Sequence, residues 1–186
     1  TLMGNLPGMA YRCANHEDWS MQFVSDGSLV LTGWTPADFM SQNVNFSELI
    51  LPDDVEHVWK TVQEQVRQKR PYVLEYRIRT ASGQTKWVWE SGIGIYSEDD
   101  QLLALEGFAA DITKRKKAES FYERNADILE MIATGQPASG IYDEIAFMYE
   151  ERHPGMRCSM LELHDGKLLH GGAPSLPKEY CDAVHG

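Results

Sequence analysis

Between residues 72 and 110 the chain alternates apolar and polar residues through three successive segments, and this period of two leaves few folds open. In 72–80 one face carries Tyr72, Leu74, Tyr76 and Ile78, and the other carries Glu75, Arg77 and Arg79. Ser82-Gly83 turns the chain into 85–96, where Trp87, Trp89, Ile93 and Ile95 share a face, read here as the inner one. The acidic turn Glu98-Asp99-Asp100 leads to 102–110, with Leu103, Leu105, Gly107 and Ala109 on one side. Three such strands joined by short turns predict an antiparallel meander with one buried face. At Asp111-Ile112-Thr113 the alternation stops, and the charged run Lys114-Arg115-Lys116-Lys117 opens a helical segment. Asp111 or Thr113 can cap the first exposed N–H groups of that helix, so the tripeptide marks a strand-to-helix joint.

Composition narrows the class. The 186 residues suffice for one domain with a sizeable core and part of a second. A hydrophobic content of 42% with 24% charged residues is that of a soluble globular protein, and no apolar run approaches a membrane span. Thr1-Leu2-Met3-Gly4 lacks the basic region and apolar stretch of a secretion signal, so the chain reads as an internal excerpt of a cytoplasmic protein without membrane contact. A net charge of −11 and a pI near 4.9 oppose a nucleic-acid partner, whose phosphates require clustered Lys and Arg. Cys13, Cys158 and Cys181 are odd in number and too widely spaced for a metal knuckle, and buried structural thiols are expected.

Ahead of the meander, 9–13 and 21–24 read as short strands joined by a polar turn at 15–18. The turn cluster Ser25-Asp26-Gly27-Ser28 leads through Leu29 to Leu31 and Gly33-Trp34. Thr35-Pro36-Ala37-Asp38 combines a capping residue, proline at the first helical position and an acid in the first turn, which predicts a short helix. In 52–69 the residues Val55, Val58, Trp59, Val62 and Val66 recur on one helical face, with His57 on the other. Two strands, short helices, one long helix and three strands predict an α+β fold, a five-stranded antiparallel sheet with helices on one face.

In this order the residues resemble PAS sensor domains, in the subgroup that opens Pro-Gly-Met-x-Tyr-Arg. The resemblance runs from Leu6-Pro7-Gly8-Met9-Ala10-Tyr11-Arg12 through Leu31-Thr32-Gly33-Trp34, Pro52-Asp53-Asp54, Tyr76-Arg77 and Trp87-Val88 to Gly107 and Asp111-Ile112-Thr113. It implies a small cavity between sheet and helices, with Tyr76, Trp89, Leu103, Leu105, Gly107 and Ala109 as pocket candidates. It also implies a signal leaving through the Asp111-Ile112-Thr113 joint. Light-sensing members carry a flavin-contacting glutamine where Ala109 stands, and a reactive cysteine in an Asn-Cys-Arg context that 44–51 lacks. Haem-binding relatives use a histidine on the long helix, where only His57 stands. Flavin and haem are therefore disfavoured, and the ligand is left unidentified. The inner aromatics fit plain core packing as well as a pocket, so a small apolar or aromatic metabolite and an empty cavity both stay open.

Past the joint, Ala118, Phe121, Asn125, Ile128 and Ile132 keep the three-four spacing of coiled-coil a and d positions. Asn125 falls at an a position, where a buried amide fixes register, and a homodimer is expected. The alternative is one amphipathic helix docked on its own sheet or on the next domain. Beyond the break Thr134-Gly135-Gln136-Pro137 follow a helix at 141–150, a strand at 156–164, an Asp165-Gly166 hairpin turn, a return strand at 167–170 and a helix from Leu176-Pro177 to Val184. This order resembles the first half of a GAF domain. The domains are thus 1–113, PAS; 114–133, signalling helix; and 134–186, partial GAF. His153, His164, His170 and His185 have no metal-ligand spacing with Cys158 or Cys181, and neither a nucleophile elbow nor a phosphate-cradling loop is present. The expected protein is a non-catalytic sensory module that relays a signal through a dimeric helix to an output domain. By analogy that output is cyclic di-GMP turnover, with a histidine kinase as the alternative. A pure dimerisation module is a further alternative.

Overall fold

The computed structural model describes residues 8–185, so Thr1 to Pro7 and Gly186 lie outside the described residues, Leu6-Pro7 of the opening motif among them. The chain divides into two units, Thr1–Lys116 and Lys117–Gly186.

In the first unit β1 (Met9–Cys13) and β2 (Met21–Val24) precede four helices, α1 (Gly27–Thr32), α2 (Pro36–Met40), α3 (Phe46–Leu49) and α4 (Pro52–Arg67). Then come β3 (Tyr72–Arg79), β4 (Thr85–Tyr96) and β5 (Leu102–Asp111). The sheet runs β2-β1-β5-β4-β3 with every pair antiparallel. One core lies between its inner face and the helices, built from residues such as Met9, Leu31, Phe39, Val62, Tyr76 and Leu105. The 29–31 stretch, to which the sequence assigned no element, is helical. α1 is six residues long, too short to show a helical period, and it ends at Gly33 in the left-handed region, φ 83°.

Local capping chemistry sets α2 and α4. The Thr35 hydroxyl accepts from Asp38 N–H while the Asp38 carboxylate accepts from Thr35 N–H at 2.9 Å, a reciprocal box behind Pro36. On α4, Val58, Val62 and Val66 are buried and His57 is exposed. The stripe is narrower than its spacing predicts, because Val55 is exposed and Trp59 only half-buried. Asp54 in the first turn accepts from the Arg77 backbone N–H at 2.8 Å and from Arg77 Nε and Nη2 at 2.9 and 2.7 Å, tying α4 to β3. Those bonds hold the Asp54 carboxyl below its usual range.

The inner face of β4 differs from expectation. Val88, Glu90 and Gly92 point into the core, and Trp87 and Trp89 stand on the opposite face, where Ile93 is exposed. The cause is register: Trp87 opposes Arg77, Trp89 opposes Glu75, and Glu90 opposes Leu74. Directly opposed residues of an antiparallel pair share a face, so β3 imposes its parity on β4. Outside, the Arg77 guanidinium and the Lys116 ammonium lie 5.7 and 5.2 Å from the centre of a Trp87 ring, which shields that indole from water. On β5 a bulge accounts for a second correction. Ile95 pairs with Ala104 and Tyr96 with Leu102, so Leu103 is skipped and is 52% exposed while Ala104 turns inward.

The second unit holds most of α5 (Thr113–Ala133), with α6 (Ala138–Arg152), β6 (Met160–His164), β7 (Lys167–Gly172) and α7 (Lys178–Ala183). Asp165 and Gly166, φ 49° and 77°, turn the β6–β7 hairpin. Ile128 of α5 is buried. Arg124 pairs with Glu151 and lies over Phe147, and Arg152 lies over Phe121. Cys13 is buried, whereas Cys158 and Cys181 are partly exposed, unlike the expected buried thiols.

Candidate functional site

Four residues in one row across the sheet build the floor of the site. Tyr11 of β1 opposes Gly107 of β5, Gly107 opposes Gly92 of β4, and Gly92 opposes Tyr72 of β3. A Cβ on Gly107 would collide with the Tyr11 phenol, and one on Gly92 with the Tyr72 ring. The two glycines thus let both phenols lie flat against the sheet, and the hydroxyls meet at 2.8 Å. One inward position away along β4, the Glu90 carboxylate accepts a hydrogen bond from Tyr11 and another from the Tyr76 hydroxyl at 2.5 Å.

Over this network sits a cavity lined on the sheet side by Met9, Tyr11, Cys13, Tyr76 and Glu90, and on the helix side by Phe46, Ile50, Val58 and Val62. Trp19 and Met21 complete the lining. The cavity leaves about 20 Å³ for the centre of a water-sized sphere, room for about one water. Met21 is the one lining residue not fully buried, so the solvent side lies there and at Trp19. Trp19 lies in the β1–β2 turn at φ 52°, uncommon for a bulky residue, and tilts against Trp59 at 5.2 Å.

The site is electrostatically unusual. Burial pushes the Glu90 carboxyl up, opposed by the donated tyrosine bonds. Burial and the nearby Glu90 raise the Tyr11, Tyr76 and Tyr72 phenols, and the same causes push the Cys13 thiol up to about 12. All four stay protonated at neutral pH, which makes Cys13 a poor nucleophile.

The joint at the end of β5 is locked to β4 and β3. Asp111 accepts from Thr113 N–H at 2.8 Å, which makes Asp111 the cap, and pairs with Lys86 at 3.3 Å. The Thr113 hydroxyl instead accepts from Trp87 N–H at 3.0 Å, and Ile112 N–H donates to Trp87 C=O at 2.9 Å. Glu75 on the outer face of β3 holds Arg115 at 2.5 Å and Lys116 at 2.7 Å, which keeps its carboxyl low.

Of the sequence-derived pocket residues, Tyr76 lines the cavity, and Leu105 and Ala109 are buried in the surrounding core. Gly107 lies beneath Tyr11, while Trp89 and Leu103 lie away from the cavity for the reasons of register and bulge given above. Asn125 is half-buried on α5. Sequence reasoning missed Glu90, Cys13 and the Tyr11–Tyr72 pair. The signal available was a glutamate in phase with Val88 and Gly92, outweighed by the neighbouring tryptophans. Among the described residues no three His, Cys, Asp or Glu side chains gather as a metal site requires, and no helix is long and apolar enough to cross a membrane.

Residues 22–109 match the PAS fold family. A methyl sulfide methyltransferase-associated sensor of Methanosarcina acetivorans is 33% identical over 171 residues, 90% of this chain and 17% of that protein. A blue-light-activated histidine kinase of Brucella ovis is 30% identical over 114 residues, 58% of this chain and 22% of that protein. The chain thus spans about a fifth of the length of these curated relatives. The crystal structure of a sensory box histidine kinase/response regulator from Burkholderia thailandensis has a TM-score of 0.55 at 22% identity, over 67% of this chain and 92% of that one, a likeness of fold.

Proposed function

We propose, from the premise that residues 22–109 of this chain form a PAS domain of the kind that serves sensing in signalling proteins such as histidine kinases and diguanylate cyclases, that the Glu90 cavity receives a small molecule and that α5 carries the response. The observation carrying this reading is the adjacency of Tyr76 and Glu75 on β3. Tyr76 reaches inward to the Glu90 carboxylate, and Glu75 reaches outward to Arg115 and Lys116 at the start of α5. A ligand that bonds Glu90 beside the Tyr76 hydroxyl shifts β3 and loads the helix joint through Glu75, Asp111, Ile112 and Thr113. This fragment is the sensing part and does no chemistry itself.

The output belongs to the whole protein. The identity to a histidine kinase favours that output over cyclic di-GMP turnover. Residues 134–186 are read as the start of a GAF domain, on the strength of their helix–hairpin–helix order. Homodimerisation is proposed through α5. The seam expected from spacing is Ala118, Phe121, Asn125, Ile128 and Ile132; Ile128 is buried within its own unit and Phe121 lies under Arg152, so the exposed face available for pairing is that of Tyr122, Leu129 and Ile132, next to Asn125. A pure relay is the second reading, and the small volume of the closed cavity favours it.

Native mass spectrometry of the whole chain tests both. A dimer carrying a definite extra mass supports the sensor. A dimer that stays unliganded after exposure to small-molecule extracts supports the relay. A monomer that Asn125→Leu leaves unchanged overturns the helix pairing.

A further inference from the structure

The Glu90 cavity holds a carboxyl and no positive charge. Among the described residues, none of the ion pairs includes Glu90. The groups that bear on its titration are the Tyr11 and Tyr76 hydroxyls, with Tyr72 and Cys13 adjoining. The helices contribute only Phe46, Val58 and Val62 to the lining, the α3–α4 link contributes Ile50, and the β1–β2 turn contributes Trp19. A carboxylate withdrawn from water to this depth is costly until a cation joins it.

The geometry points to a small organic monocation, a methylated ammonium ion of a few heavy atoms, as the ligand class of this cavity, an inference that rests on the sensor reading above. Three features carry it. Each Glu90 oxygen accepts one tyrosine hydroxyl and keeps a further lone pair for a ligand N–H or a close ammonium. Four lining side chains, Tyr11, Trp19, Phe46 and Tyr76, are aromatic, and ring faces attract a desolvated cation. An anionic ligand meets like charge at Glu90 with no cation to offset it. Because the closed cavity takes about one water, entry requires Met21 or Trp19 to swing aside, which limits the ligand to a few heavy atoms. The cation binds the ionised carboxylate and displaces its proton, so affinity rises with pH until Glu90 is fully ionised.

The test uses the whole chain, with tryptophan fluorescence and thermal melting. Methylammonium, trimethylammonium and tetramethylammonium chlorides are titrated against sodium chloride at matched ionic strength and against neutral tert-butyl alcohol, at about pH 5.5 and about pH 7.5. The expected result is a saturable response to at least one alkylammonium ion and none to sodium, tighter at the higher pH and at least about tenfold weaker in Glu90→Gln. Tyr76→Phe, which keeps the carboxyl and removes one of its donors, weakens binding in the same direction. The wild-type pH comparison needs no variant. A saturable response to tert-butyl alcohol that persists in Glu90→Gln and ignores pH overturns the cation while leaving the cavity a ligand site. No saturable response to any probe overturns the cation and counts against the sensor reading together.

Discussion

In residues 8–116 every sheet strand has one side closed by helices, and large side chains such as Tyr72, Tyr76, Phe39 and Leu105 are almost wholly buried. In residues 117–185 the hairpin β6–β7 leaves Leu161, Leu163 and Leu168 exposed, and burial is confined to Ile128, Ala146, Glu150, Gly171, Gly172 and Ala173. Apolar pattern alone therefore does not make a core; a second layer must cover the patterned face. The contrast extends to buried carboxyls. Glu90 lies among phenols and is pushed toward its neutral form. Glu150 is held low by a hydrogen bond from the Ser175 hydroxyl, by Cys158 N–H at 2.8 Å and by Arg157 at 3.6 Å.

The sharpest way to break this comparison is a matched pair of truncations. Phe39→Ala, at 1% exposure against Phe46, is expected to cost about 3–5 kcal/mol in denaturant unfolding. Leu163→Ala, at 73% exposure, is expected to change stability by no more than about 0.5 kcal/mol. Equal losses would mean that the hairpin is covered in solution. Next in size is Gly92→Ala, whose Cβ would push the Tyr72 ring off the sheet and cost about 1–3 kcal/mol. The partner glycine, Gly107, should respond alike through Tyr11, and a neutral result at both would show that the phenols lie elsewhere.

The pH profile sharpens the contrast between carboxyls. Unfolded, Glu90 ionises near 4.5, but burial keeps it protonated to higher pH in the native state. The unfolded chain releases that proton first, so stability falls as pH rises from about 4.5 through the native value, by up to about 1.4 kcal/mol per pH unit. Glu90→Gln should flatten this fall. Asp54, held low by Arg77, has the opposite sign: its contribution is present above 3.8 and is lost as pH drops below that value. A wild-type profile that rises across the first window would contradict the buried Glu90.

The smallest effects concern the joint. Asp111→Ala removes the cap on Thr113 N–H and should cost about 1 kcal/mol. Glu75→Gln, at a partly exposed ion pair, should cost less than about 1 kcal/mol. Its clearer readout is faster hydrogen exchange in the first turn of α5 with little change in global unfolding.

Much of the fold was legible because its causes are local. The parity of β3, the capping box at Thr35 and Asp38, the α4 helix and the Asp165-Gly166 turn each follow from residues within a few positions. α1 was not legible, since six residues hold too little period and its closure depends on Gly33 abutting Ala81. The joint was half legible: a cap was evident, but Thr113 is drawn to Trp87 and the capping falls to Asp111.

The sequence by itself determined the alternation of each strand, the order of the elements and the strand-to-helix joint, because periodicity and capping are written in neighbouring residues. Only the tertiary structure decided which side of β4 faces inward and what its glutamate does there. Parity across strands comes from register, and Trp87 and Trp89 follow Arg77 and Glu75 to the outer face. A carboxyl in the core is tolerable only beside donors supplied from afar. Tyr11 lies seventy-nine positions from Glu90, and the phenol reaches it because Gly107 on β5 leaves its ring a flat place to lie.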